Sequence, residues 1–129
     1  MTGSVLAYSL EDDNEAVSWF RETDHLVASP RVAGITFGSK EWWAAVDSGA
    51  WPTKTVEGVI TRIYEERQGG WLRFELATPT GLMTWTREGD PARYRPGQHA
   101  RLQYFVQRFL KPAFGTRERP VVIKLWLEG

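Results

Sequence analysis

The chain has no cysteine, which excludes disulfides, thiolate metal sites and cysteine nucleophiles together. It has only two histidines, His25 and His99, far apart and in no metal-binding spacing such as HxxxH. P-loop, GxGxxG and GxSxG motifs are missing as well. Two adjacent acid pairs occur, but Glu65 and Glu66 would face opposite ways on a strand, and Asp12-Asp13 suits a helix cap better than acid-base chemistry. Catalysis, a metal and a cofactor are therefore not expected. No stretch approaches the roughly 20 apolar residues of a membrane span, and residues 1–10 (MTGSVLAYSL) lack the basic start and apolar centre of a leader. The expectation is a soluble cytoplasmic protein with no membrane partner. Net charge is zero, which argues against strong nonspecific DNA binding.

What is present begins with the charge distribution. Residues 1–53 hold three Lys/Arg against eight Asp/Glu, and residues 54–129 hold thirteen against eight. The split suggests either an anionic partner for the basic part or mutual attraction of the two parts within one fold. At 129 residues the chain suits one structural domain. Seven tryptophans are many for this length, although large aromatics also fill small cores.

The clearest pattern is residues 56–87 (VEGVITRIYEERQGGWLRFELATPTGLMTWTR), three alternating segments separated by QGG and TPTG. Alternation with these turn residues predicts an antiparallel meander. A two- or four-residue turn at TPTG sets Phe74 opposite Trp85 and Leu76 opposite Met83. A two-residue turn at Gln68-Gly69 or Gly69-Gly70 adds Ile63 and Val59 to that inward face. The outward face then shows Arg62, Tyr64, Trp71, Arg73, Glu75, Thr84 and Thr86.

Elsewhere, residues 11–23 (EDDNEAVSWFRET) predict a short capped helix. Residues 31–37 (RVAGITF) predict a brief strand, and Ser39 caps a second helix over KEWWAAVDSG with Trp42 inward. Residues 88–98 are rich in Pro and Gly and predict a loop. Residues 99–110 (HARLQYFVQRFL) fit a strand and nearly as well a helix; the preceding PGQ turn and the aromatic, branched composition favour the strand. Residues 120–128 (PVVIKLWLE) predict a last strand.

Five strands, a Gly-bearing first strand and a tight second hairpin make residues 55–128 resemble an OB-fold barrel. The resemblance is one of strand count and spacing. The expected architecture is thus mainly β (α+β), a five-stranded antiparallel OB-like barrel at residues 55–129 with a short helical N-terminal arm at residues 1–54.

The resemblance implies a ligand on the outer face of the second and third strands and their loops, commonly single-stranded nucleic acid. Tyr64 and Trp71 would stack bases, and Arg62, Arg73 and Arg101 would meet phosphates. Arg117 would join them from the basic loop KPAFGTRERP, beside Arg108, Lys111 and Arg119. The plain alternative is an ordinary solvated surface in which Arg62 pairs with Glu75 and Tyr64 covers Trp71. A second function class is a protein partner or a homodimer, anchored by Trp43 or Trp51 of the Trp-rich arm, unless those rings pack internally.

Overall fold

A computed structural model of the chain describes residues 3–31, 34–67, 70–113 and 115–129. Among them the elements follow as β1 (Ser4–Ser9), α1 (Asn14–Glu22), β2 (Val27–Ser29), α2 (Lys40–Asp47), β3 (Lys54–Glu65), β4 (Leu72–Thr78), β5 (Gly81–Thr86), β6 (His99–Ala113) and β7 (Thr116–Glu128). The antiparallel sheet runs β1-β7-β6-β3-β4-β5, with β2 pairing β6 off that path. The chain is therefore mainly β with two helices, but the five-stranded barrel is corrected. Two further short strands take part, and the sheet does not close, because β1 and β5 are its edges. Both extra strands lie in the N-terminal stretch expected to be helical. They are short, and their pairing depends on partners far along the chain, β7 for β1 and β6 for β2.

The two helices start where the sequence places their caps. The Asp13 carboxylate accepts the Ala16 N–H at 3.1 Å, and the Ser39 hydroxyl oxygen accepts the Trp42 N–H at 3.2 Å. The strand expected at residues 31–37 is not found among its described residues, Val32 and Ala33 lying outside them. Gly34 and Gly38 both have positive φ, which turns the chain out of extended conformation, and the strand sits earlier, at Val27–Ser29.

Two compact units divide these elements. The first comprises Met1–Ser9, Thr55–Gln103 and Lys124–Gly129; the second comprises Leu10–Lys54 and Tyr104–Ile123. In the second unit Trp42 is the centre of an aromatic cluster, with ring centroids 4.2 Å from Phe37, 5.0 Å from Trp51 and 5.7 Å from Phe105. Trp51 is buried and Trp43 half-buried against Trp42, so the internal-packing alternative holds for Trp51. Arg119 inserts its guanidinium among Trp19, Phe20 and Phe109 at 4.6, 4.8 and 4.9 Å, and donates to Gln107 and Thr23.

In the first unit Phe74 and Leu76 of β4 are fully buried with Ile60, Trp85, Leu102 and Leu125. The register is the one read from the sequence for β4 and β5, with Phe74 opposite Trp85 and Leu76 opposite Met83. Trp85 is 4% exposed, whereas Trp71 is 67% exposed. The Tyr94 ring lies 5.2 Å from Phe74 and its hydroxyl donates to the Glu88 carbonyl at 2.6 Å. Burial, with the Glu88 charge second, holds its phenol well above the usual range. The buried Gln98 amide pins the same loop, donating to the Arg93 and Glu128 carbonyls and accepting from the Arg95 N–H.

One register detail departs from simple alternation. Ile60 pairs with Leu76 and Arg62 with Glu75, so Thr61 is an extra residue, a β-bulge. Strict alternation would set Thr61 on the core face and leave Ile60 outside. The bulge instead buries Ile60 and frees Thr61, whose hydroxyl donates to the Glu75 carboxylate at 2.8 Å. Burying a branched aliphatic side chain in place of a hydroxyl decides the register. Val59, expected in the core, is consequently outward and 44% exposed. Ile63 does sit opposite Phe74 but keeps 37% exposure near the end of the strand. Gln68 and Gly69, the expected turn, lie outside the described residues.

Candidate functional site

The outward face of β3, β4 and β5 is built of cross-strand rows. Val59, Ala77 and Leu82 form the first, Arg62, Glu75 and Thr84 the second, and Tyr64, Arg73 and Thr86 the third. Trp71, two residues before Arg73 and just ahead of β4, extends the pairing by accepting the Glu66 N–H at 2.8 Å and continues the same side. The sequence expectation thus brings Arg62, Tyr64, Trp71 and Arg73 together on one face. Arg101 lies instead on β6, stacked 4.3 Å over Trp126 of β7. Arg117 is exposed on β7 and belongs to the second unit.

The charges of this face are matched among themselves. Arg62 meets the Glu75 carboxylate at 3.4 Å, as the plain alternative supposed, and its guanidinium also lies 4.3 Å from the Tyr64 ring centre. Arg73 meets Glu66 at 2.9 Å and donates to the Thr86 hydroxyl oxygen at 2.7 Å. Each pair holds a long side chain in one position, which costs less entropy when a partner must later be met. Pairing also removes the open cationic field that a polyanion would need.

What remains unsatisfied is apolar. Trp71 at 67% exposure and Leu82 at 64% are among the most exposed large hydrophobic side chains described, and Val59 adds to the Leu82 end. The face therefore has an aromatic end, a self-neutralised polar middle and an aliphatic end. Sequence reasoning missed the aliphatic end. Leu82 follows from the alternation that placed Thr84 and Thr86 outward, but Val59 required the bulge.

No group of three or more His, Asp or Glu side chains that could hold a metal ion occurs among the described residues. No helix among them is long and apolar enough to cross a membrane. A cleft of about 200 Å³ lined by Val5, Arg93, Arg95, Gln98, Leu127, Glu128 and Gly129 includes none of the face residues. It is also smaller than the roughly 300 to 1,000 Å³ usual for small-molecule sites.

No curated protein matches the chain. Residues 6–119 match the family model described as Immunity protein RhsI2. A family of this kind implies a protein partner, so the expectation of single-stranded nucleic acid as ligand is overturned and the protein-partner alternative stands. Since the match spans most of the 129 residues, the chain belongs to the RhsI2 immunity protein family.

Proposed function

We propose that this chain neutralises a cognate Rhs toxin by binding it, without catalysis of its own, and that the outward face of β3, β4 and β5 is the surface used. The observation that carries the proposal is Trp71, two-thirds exposed on the same outward side as a Tyr64–Arg62 stack already held in place. Trp, Tyr and Arg are the side chains that dominate binding energy in protein interfaces, and a rigid arrangement lowers the entropy lost on association. Arg62, Tyr64, Trp71 and Arg73 keep a binding role under this reading, toward a protein in place of a polyanion. Calorimetry of Trp71→Ala against an inactivated cognate toxin tests it. The substitution should weaken binding by about 2 kcal/mol or more. Wild-type affinity in the variant would remove the face from the mechanism.

A further inference from the structure

The face has an open margin. β5 is an edge of the sheet, and in an antiparallel ladder alternate residues direct their N–H and C=O away from the neighbouring strand. Arg87 donates its N–H to the Leu72 carbonyl at 2.9 Å, and Trp85 and Met83 pair with Phe74 and Leu76 in the same phase. Leu82, Thr84 and Thr86 therefore turn their backbone groups outward. The Thr86 carbonyl accepts from Glu88 N–H at 2.9 Å. Both backbone groups of Leu82 and Thr84, and the Thr86 N–H, are left without a partner among the described residues.

Proteins blunt such edges with charge, proline or bulges. β5 (GLMTWT) carries no charge and no proline, and its six pairs with β4 run without a register shift. The opposite edge, β1, is interrupted by a shift between Leu6 and Tyr8. The undefended edge is the one that borders the candidate binding face.

We propose that β5 takes an extended segment of the Rhs toxin as an added strand; the proposal rests on the toxin-binding reading of that face. The rows specify the segment's chemistry. The aliphatic row Val59, Ala77 and Leu82 asks for an apolar side chain beside Leu82. At the other end the Thr86 hydroxyl oxygen accepts from Arg73, which leaves its own proton to donate outward, so an acceptor such as a carboxylate fits beside Thr86. Leu82 and Thr86 share one face four residues apart, so the segment carries an apolar and an acidic residue at that same spacing. A second copy of the chain supplies neither: two β5 strands paired antiparallel about Thr84 would set Leu82 against Thr86 twice.

Amide hydrogen exchange on the wild-type chain, with and without the inactivated cognate toxin, is the direct test. The amides of Leu82, Thr84 and Thr86 should exchange quickly alone and slow by roughly tenfold or more in the complex. Thr84→Pro removes an outward N–H without breaking a bond to β4, and should weaken toxin binding by about tenfold or more, while Thr84→Val stays within about threefold. If toxin binds and Trp71→Ala weakens it, yet these amides stay fast, the added strand is refuted and the face reading survives. If the wild-type chain binds no toxin, both fall. Amides already slow in the free chain, with a dimer in sedimentation, would assign the edge to a second copy and overturn the proposal. Should Thr84→Pro not fold, the wild-type exchange result decides.

Discussion

Arg62 and Tyr64 stand two residues apart on β3 with the guanidinium 4.3 Å from the ring centre, and the same arginine reaches Glu75 on β4 at 3.4 Å. The three side chains brace one another on an exposed surface. Exposed stacks and ion pairs of this kind contribute about 0.5 to 1 kcal/mol each. Arg62→Ala and Tyr64→Ala should each lower stability by about 1 kcal/mol or less in urea denaturation and weaken toxin binding by more than that. A double-mutant cycle on binding should return a coupling of about 0.5 kcal/mol or more; strict additivity would show that the stack is not used.

Salt separates this interface from one that reads phosphates. With Arg62 on Glu75 and Arg73 on Glu66, the face presents little net charge. Raising ionic strength from about 0.05 to 0.5 M should therefore change toxin affinity by less than roughly tenfold, since exposed matched pairs contribute little long-range field. A linear loss of several decades, the mark of counterion release, would contradict the protein-binding surface drawn here.

Gly58 marks the close approach of β3 and β4. A β-carbon at that position would overlap the Ala77 carbonyl oxygen, a contact only backbone movement can relieve. Gly58→Ala should destabilise the chain by about 2 to 3 kcal/mol, read as a lower urea midpoint with unchanged slope. A neutral result would mean that the two strands are farther apart than described.

Arg119 gives a pH-dependent test. Half burial among Trp19, Phe20 and Phe109 lowers its pKa to about 10, well below the usual guanidinium range. A base with a folded pKa below its unfolded one binds fewer protons when folded between those two values, so stability rises with pH only above about 10. Near neutrality the group is charged in both states and contributes no slope. Lysine starts from about 10.4, so in Arg119→Lys the same burial moves that window toward neutral pH. The variant should lose about 1 to 2 kcal/mol at pH 7 through the lost Gln107 and Thr23 bonds, and part of the loss should disappear as pH approaches 10. A penalty independent of pH would place the lysine amine in solvent.

Much of the face was legible because it depends on local order. Phe74, Leu76, Trp85 and the outward Arg62, Tyr64, Trp71 and Arg73 follow from period-two alternation through a short turn, which needs no knowledge of distant residues. The bulge did not, because it reflects a competition between Ile60 and Thr61 for one place against Leu76. Residues 99–110 looked ambiguous for a related reason. Buried positions run Ala100, Leu102, then Phe105, Gln107 and Phe109, and the spacing of three after Leu102 imitates a helix within a continuous strand. β1 is six residues of mixed pattern whose identity as a strand comes from β7, more than a hundred positions away. The partner class was invisible for a different reason: exposed Trp, Tyr and Arg are shared by surfaces that stack bases and surfaces that grip proteins, and only family membership separated them.

The extra residue at Thr61 also sets how a mutational scan of β3 will read. Substitutions that disturb toxin recognition should fall at 59, 62 and 64, and those that disturb folding at 60 with a weaker echo at 63. The recognition footprint is thus spaced by three and then by two. A variant library designed on every second position would sample the partner surface on one side of Thr61 and the hydrophobic interior on the other.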